Sequence, residues 1–532
     1  MEKKYYSKVI RLISQNILTD WNEPYKIESN NSSICTGFFI DNKGSILTCS
    51  HCVEDSSTVY FEIPTLGRDK YKAEIIFICP KYDIALLRAI DYKNKDYFKL
   101  VDYNYIYKIQ SGLKVHALGF PLGKNNLKIT EGVISGRDSS NIQTTSALNP
   151  GNSGGPLLYK DRVIGVNSSV ILRAANIGFA SPISYYHLIS KTKYENKLIQ
   201  IPKLGMQTCN LNKSFFELNN YKNKEGIYVT NITKNSLSDI NCIKKGDIIM
   251  SINNISVDNN GLFNKRWFNE KMNLEDILNT FRIGDMLTIN LLRNGEIIKK
   301  KFKFELKDVY FKKRYPLFEK IENTYSVFAG LVVSEINLNN LHELMMNSTA
   351  NIIFKQDINP EWLKIISHSS KKHDNCNFLL ITHIFPNSEI SNNGILKVGD
   401  VITSVNDVMT TNNSEYKKAI CKCLTNAENE KYIQFETNNN KISIHKLNNI
   451  LEEEEESYKL YKYNLSEVYE KLMDSVKSNN NKSKYTKNTK KTKKTKKKKT
   501  KKKQKTKRQK TKEPGAEGKQ KENHEHAGTE GP

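Results

Sequence analysis

Short apolar runs bounded by Asn, Gly, Asp and Pro alternate with polar stretches through the first 200 residues. The clearest lie at 35–40, 45–48, 73–78, 84–87, 114–119, 132–135 and 162–170. Brief β-branched segments separated by turn residues read as strands, and so many in sequence read as an all-β barrel or sandwich. Val9, Ile10, Leu12, Ile13 and Ile17 fall near a 3.6-residue period, which predicts a helical stretch at the start.

Beyond residue 200 the pattern repeats. Lys245-Gly246-Asp247-Ile248-Ile249, followed by Ile252-Asn253, matches Val398-Gly399-Asp400-Val401-Ile402, followed by Val405-Asn406. Each copy follows an apolar strand, at 226–232 and at 378–384. Two copies this far apart indicate two related modules and not a solenoid of short repeats. The acid run Glu452–Glu456 predicts the start of a solvated helix, because Tyr458, Leu460, Tyr461, Leu465, Val468, Tyr469 and Leu472 follow at helical spacing. From Ser478 onward the chain is rich in Lys, Thr and Asn and poor in apolar residues. Such a segment cannot bury enough apolar surface to offset its ordering entropy, so disorder is expected.

Composition changes the picture at two points. The 532 residues carry 82 Lys and Arg against 57 Asp and Glu, a formal charge of +25. Nineteen of those cations lie at 482–512 without an acid, and the residues beyond carry −3, so the remainder holds only +9. The basic character therefore belongs to a tail, with a nuclear or nucleolar address and non-specific RNA or anionic-surface contact as its functional reading, and a plain solubilising extension as the other. No apolar run approaches the ~18 residues a membrane-spanning helix needs. No secretory leader is recognised, which leads to an expectation of nucleus, nucleolus or cytoplasm. The nine Cys are scattered from Cys35 to Cys423, unlike a disulfide framework. Cys49 and Cys52 form a lone C-x-x-C without a second pair, too little for a zinc site. No Walker-type phosphate loop is present, so ATP is not expected; no other cofactor and no metal is expected either.

The sharpest chemical signal is Asn149-Pro150-Gly151-Asn152-Ser153-Gly154-Gly155-Pro156-Leu157. A Ser among glycines can be an exposed nucleophile, or simply a Gly-rich turn. Flexible neighbours let the N–H groups of Gly151 and Ser153 converge on one oxyanion. The hydroxyl needs a base and an acid that orients it. His51 and His116 are the His residues upstream. His116 sits inside an apolar run and reads as a strand residue. His51 stands where the run 45–48 passes into a loop, and Asp83 directly precedes the run 84–87. Each alone reads as a surface or turn residue. Together they give His, Asp and Ser in chain order at strand edges of one β domain. The α/β-hydrolase elbow also fits Gly151–Gly155, but there the His and acid follow the Ser and a helix follows the elbow. Here Pro156 and a strand-like run follow.

These segments, with Val163–Asn167, resemble the Deg/HtrA serine peptidases of the chymotrypsin-like group. The resemblance covers residues ~7–470. It implies a mainly β fold: a double β-barrel protease domain over 1–200, a PDZ domain over 201–310 and a degenerate PDZ domain over 311–450. A helical extension at 451–477 and a disordered Lys-rich tail at 478–532 complete the expected organisation. Gly261–Phe268 and Tyr325–Val333 look most like the branch of plants and protists with a degenerate second PDZ domain. That domain is interrupted at 342–373 and is expected to bridge subunits or to bind an internal segment.

By the same resemblance His51 is the general base, Asp83 its orienter and Ser153 the nucleophile, with Gly151 and Ser153 N–H as the oxyanion hole. Ala147 is expected on the floor of the specificity pocket, near Ile177, Gly178 and Phe179, which implies small or medium apolar P1 side chains. The strand holding Val166, Asn167 and Ser168 is expected to pair with the substrate, and Leu204-Gly205-Met206 to form a PDZ carboxylate loop. The implied protein is an ATP-independent serine endopeptidase acting on unfolded or C-terminally exposed polypeptides, a trimer or multiple of trimers. The alternative is a PDZ scaffold or holdase with a resting protease domain. Thr145 departs from the Asp that many relatives carry. Secreted chymotrypsin-like enzymes join the positions of Cys35 and Cys52, whereas the expected compartment favours two free thiols.

Overall fold

The computed structural model describes residues 2–473 apart from 94, 171–176, 193–196, 222–224, 307–312, 316–323, 345–378 and 429. The Lys-rich tail and most of the 342–373 interruption lie outside the described residues. Two compact units are distinguished, Met1–Leu465 and Ser466–Pro532; in the second, residues 467–473 are helical.

The first unit begins with a closed six-stranded barrel. Its strands are β1 (Val9–Thr19), β2 (Ile27–Phe39), β3 (Ser45–Thr48), β4 (Ser56–Glu62), β5 (Tyr71–Cys79) and β6 (Ile84–Ala89), in the order β1-β2-β3-β6-β5-β4. Leu12, Phe38, Ile46, Leu47, Phe61 and Leu87 on its strands are fully buried. The helix expected at the N-terminus is instead β1. Its backbone pairs with β2 on one side and β4 on the other. A short apolar run fits either period, and pairing on both edges decides for the strand that its β-branched Val9, Ile10 and Ile13 favour.

A second barrel follows, with β7 (Lys99–Leu100), β8 (Lys114–Gly119), β9 (Lys128–Asp138), β10 (Asn141–Thr144), β11 (Pro156–Tyr159), β12 (Arg162–Val170) and β13 (Gly178–Pro182). The order β11-β8-β9-β10-β13-β12 closes through β11–β12, and β7 adds along β12. Helix α1 (Ile183–Ile189) leads out of it.

The first PDZ-like sheet contains β14 (Met206–Cys209), β15 (Ile227–Ile232), β16 (Ile248–Ile252), β17 (Ile255–Ser256), β20 (Met286–Arg293) and β21 (Glu296–Lys303), in the order β14-β15-β16-β20-β21 with β17 on β16. The hairpin β18 (Phe263–Trp267) and β19 (Glu270–Met272) and helices α2 (Lys213–Leu218), α3 (Leu237–Ile240) and α4 (Leu274–Leu278) surround it. The second PDZ-like sheet has β22 (Tyr325–Phe328), β23 (Leu331–Glu335), β24 (Leu379–Ile384), β25 (Val401–Val405), β26 (Val408–Met409), β27 (Leu424–Thr425), β28 (Lys431–Thr437) and β29 (Ile442–Lys446), with helices α5 (Glu389–Asn393), α6 (Asn413–Ile420) and α7 (Leu447–Tyr461).

The sequence repeat has one physical cause in both copies. Buried Asp247 accepts from Lys244 N–H at 2.7 Å and pairs with Arg293 at 2.6 and 2.8 Å. Buried Asp400 accepts from Lys397 N–H at 2.8 Å and pairs with Lys441 at 2.7 and 2.9 Å. One carboxylate thus closes the turn and ties it to a later segment of the same module, and a charge-assisted contact keeps it from being buried alone.

The first module is docked on the second barrel. Arg137, at the tip of β9, pairs with Asp276 of α4 at 2.7 Å; their side chains are 8% and 1% exposed. Arg137 also donates to Lys271 O, and its guanidinium lies over the Trp267 ring. The second module rests against the β1–β2 connection, where His383 meets Glu23 at 2.8 Å and the Tyr25 ring packs edge-on against Phe385. The helix expected from the acid run starts earlier, at Leu447, and is not solvated all round, since Glu454 is buried.

Candidate active site

Barrel pairing brings His51 and Asp83 together. β3 and β6 are neighbours, with Thr48 opposite Ala85. His51 lies in the turn that follows β3, and Asp83 in the turn that precedes β6. Asp83 adopts φ +51°, a left-handed conformation that Asp tolerates better than most residues. His51 Nδ1 lies 2.9 Å from both Asp83 oxygens, and His51 N–H donates to Oδ1 at 3.1 Å. Ser168 Oγ donates to Oδ2 of the same carboxylate.

The electrostatics follow from these contacts. Burial works against ionisation of Asp83, but the His51 ring, the Ser168 hydroxyl and the His51 N–H outweigh it and hold the carboxyl below its ordinary range. Burial likewise opposes protonation of His51. The hydrogen bond and charge of Asp83 prevail and raise the imidazole above 6.5.

The loop that carries Ser153 is tied on every side. Thr36 on β2 donates its N–H to Ser153 O at 2.9 Å and its hydroxyl to Gly151 O at 2.7 Å. Gly154 N–H donates to Asn167 O, and Asn167 N–H to Gly155 O. Pro150 O accepts from Leu122 N–H at 2.6 Å. Gly151 has φ +99°, where a side chain would also collide with Phe120 O, so only glycine fits. The N–H groups of Gly151 and Ser153 donate to no described residue. Ser153 Oγ donates to Ser168 O at 2.9 Å, and not to His51.

Ala147 is exposed on the loop after β10, with its carbonyl taken by Thr130 Oγ1 at 3.0 Å. The Leu148 side chain lies against Gly178, where a Cβ would meet Leu148 Cδ1 at 2.7 Å. Phe179 is buried and Ile177 half-buried. Val166 pairs with Pro156 and Ser181, and Asn167 spends its main chain on Gly154 and Gly155. The edge of β12 open to an added strand therefore starts at Ser168, later than expected. Leu204 and Gly205 lead into β14 at the sheet edge, far along the chain from the triad.

The expectation of free thiols is overturned: Cys35 and Cys52 form a disulfide, with Cα atoms 6.1 Å apart. It joins β2, one residue before Thr36, to the turn holding His51. Cys49 of the C-x-x-C points its thiol at Asn167 O at 3.1 Å, and burial pushes that thiol well above its ordinary pKa. With Cys52 bonded and Cys49 held neutral, the motif does not offer a thiolate pair. Sequence reasoning missed Thr36 and Leu148 and assigned Ser168 only to substrate. Leu148 had a signal in its place beside Ala147; Thr36 had none.

Comparison with known proteins bears on the domains that carry these residues. Residues 35–166 match the trypsin-like peptidase domain family, and residues 212–266 match the PDZ domain family. Do-like protease 13 of Arabidopsis thaliana is 29% identical over 340 residues, 60% of this chain and 65% of that protein. The chain is similar to Deg/HtrA serine proteases through its trypsin-like and PDZ domains. A DegP-like periplasmic serine endoprotease of Pseudomonas putida is 31% identical over 276 residues, 50% of this chain and 54% of that one. The serine protease Do-like HtrA of Bacillus subtilis is 28% identical over 293 residues, covering 50% and 62%. The chain thus spans between half and two thirds of the length of these Deg/HtrA relatives. Among solved structures, the HtrA-type protease AlgW with decapeptide aligns at 21% identity and a TM-score of 0.44, over 57% of this chain and 97% of that one.

Proposed function

We propose that this chain is an ATP-independent serine endopeptidase that cleaves unfolded or PDZ-delivered polypeptides through an acyl-enzyme. The observation that carries the reading is the Asp83 carboxylate gripping His51 Nδ1, beside a loop with two unspent N–H groups. In the reaction, Ser153 Oγ leaves the Ser168 carbonyl and turns to His51 Nε2, which takes its proton as the hydroxyl attacks the scissile carbonyl. Asp83 keeps the proton on Nδ1 and stabilises the imidazolium. Gly151 and Ser153 N–H take the oxyanion. His51 then gives its proton to the leaving amine, and water repeats the sequence to free the acid and Ser153. The substrate adds as a strand beyond Ser168, with its P1 side chain near Ala147 and Leu148. Leu148 over Gly178 favours small or medium apolar P1 groups.

The second reading, a PDZ scaffold or holdase with a resting protease domain, draws on the Ser153–Ser168 bond, which holds the nucleophile off its base. A fluorophosphonate probe separates the two: labelling traced to Ser153 by mass spectrometry supports the enzyme, and an unlabelled wild-type chain supports the resting form. Assembly into trimers, and residence in nucleus, nucleolus or cytoplasm, belong to this proposal. The Cys35–Cys52 bond pulls against those compartments, because disulfides persist in oxidising ones. Alkylation mapping of both cysteines from cells decides between them.

A further inference from the structure

The Cys35–Cys52 bond lies beside the catalytic base, and its two sulfurs form part of a metal-binding set. Both Sγ atoms and a ring nitrogen of His51 lie within 4.8 Å of one another. The two cysteines are buried, and His51 is exposed. Cys52 Sγ also lies 3.8 Å from Ser153 O, so the set abuts the loop that carries the nucleophile. Two thiolates and an imidazole are donors that zinc selects, and a tetrahedral ion holds them about 3.5–3.8 Å apart. Side-chain shifts of about 1 Å therefore close this set around the metal.

The barrel holds both cysteines in place independently of their bond. Cys35 sits in β2 opposite Leu12 of β1, and its neighbour Thr36 is anchored to the Ser153 loop. Cys52 N–H donates to Cys49 O at 3.3 Å, and Cys52 O accepts from the buried Ser14 hydroxyl at 2.7 Å. Sequence spacing pairs Cys52 with Cys49, and only the fold brings Cys35 to it. Cys49 itself lies near His51 and Asp83 at the same separation. Its thiol, however, donates to Asn167 O, and Asp83 already serves His51 and Ser168.

We propose that Cys35 and Cys52, once reduced, join His51 in a zinc site that switches the protease off. A dithiol reductant opens the S–S bond. Its two electrons and two protons pass to the sulfurs, and it leaves as a cyclic disulfide. Zinc then displaces both thiol protons to solvent and bonds the two thiolates. Asp83 holds His51 Nδ1, so the metal takes Nε2, and Asp83 orients a zinc-bound imidazole. Nε2 then has no lone pair for the Ser153 proton. Water fills the fourth position. The disulfide, while it stands, leaves no thiolate for the metal. The effect on catalysis rests on the reading of His51 as the base; the metal site does not.

Cobalt, a coloured substitute for zinc, reads the site on the full chain. The protein is reduced with a phosphine, freed of it and titrated with Co2+. Reduced wild type is expected to show thiolate-to-cobalt absorption and the strong visible bands of a tetrahedral ion. Cys35→Ser/Cys52→Ser gives the background from the exposed Cys209, Cys242 and Cys421. Oxidised wild type is expected to match that background. Zinc at ten times its dissociation constant is expected to cut fluorophosphonate labelling of reduced wild type about tenfold. A chelator should restore labelling, and the oxidised protein and the double variant should keep theirs throughout. Bands of equal strength in reduced wild type and the double variant would overturn the proposal, and so would equal loss of labelling in both. Where the double variant does not fold, Cys35→Ser and Cys52→Ser decide singly. Each keeps one thiolate and should bind cobalt at least about tenfold more weakly; wild-type affinity in both refutes the site. Metal-free protein that takes no label in either redox state sinks the reading of Ser153 as nucleophile, and the cobalt bands alone then judge the site.

Discussion

Replacing Asp83 by Asn perturbs the site at the point where its geometry is most constrained. The carboxylate accepts from His51 Nδ1, from His51 N–H and from Ser168 Oγ. An amide offers one accepting oxygen for these three donors, and its NH2 must face one of them. The relaxed arrangement turns Asn Nδ2–H toward His51 Nδ1, which moves the ring proton to Nε2. Nε2 can then no longer accept the Ser153 proton. A wrong tautomer of this kind costs about ten-thousandfold in kcat, or about 5.4 kcal/mol of transition-state stabilisation. The wild-type His51 pKa lies above 6.5 because Asp83 outweighs burial. Activity therefore needs the neutral ring, and kcat/KM falls as pH drops through that raised value. In Asp83→Asn the acid limb moves to lower pH. The assay is kcat/KM on unfolded casein from pH 5 to 9 for both proteins, with melting curves to confirm folding. A loss smaller than about tenfold, with the acid limb unmoved, would refute the assignment of Asp83.

Other outcomes follow from the same contacts. Arg137→Ala leaves Asp276 buried without its cation and is expected to cost about 3 kcal/mol; exchange at 270–280 should accelerate while the barrels keep their protection. Reducing Cys35–Cys52, which closes a span of 17 residues, is expected to remove about 3 kcal/mol from the first barrel, read as a lower melting point in dithiothreitol that Cys35→Ser/Cys52→Ser does not show. Burial raises Glu454 from 4.5 to about 7 in the fold. The second module is then most stable at low pH and loses that contribution as pH rises from about 4.5 through 7; denaturant melts should slope accordingly, and Glu454→Gln should flatten the slope.

Much of the two barrels could be read in advance because turns separate their strands cleanly. β3, β8 and β12 match their apolar runs residue for residue, and β5 and β6 match within two. The start of the chain could not be read that way, because β1 is decided by partners on both edges. His51 and Asp83 were legible because each stands where a strand meets a turn, and chain order linked them to Ser153. Ser168's grip on Asp83 and Thr36's on Gly151 depend on where a strand end and a hydroxyl arrive in space, which no local pattern encodes. The same holds for Glu454. An acid run reads as solvated, and only tertiary packing turns one of its carboxyls onto the Ala329 N–H.

The most direct test of the central claim is cleavage of unfolded casein, without ATP, by the wild type and by Ser153→Ala. The account predicts steady cleavage by the wild type and loss to background in the variant, with both proteins folded. Equal cleavage by the two, or a folded wild type that neither cleaves casein nor takes a fluorophosphonate label, would contradict it.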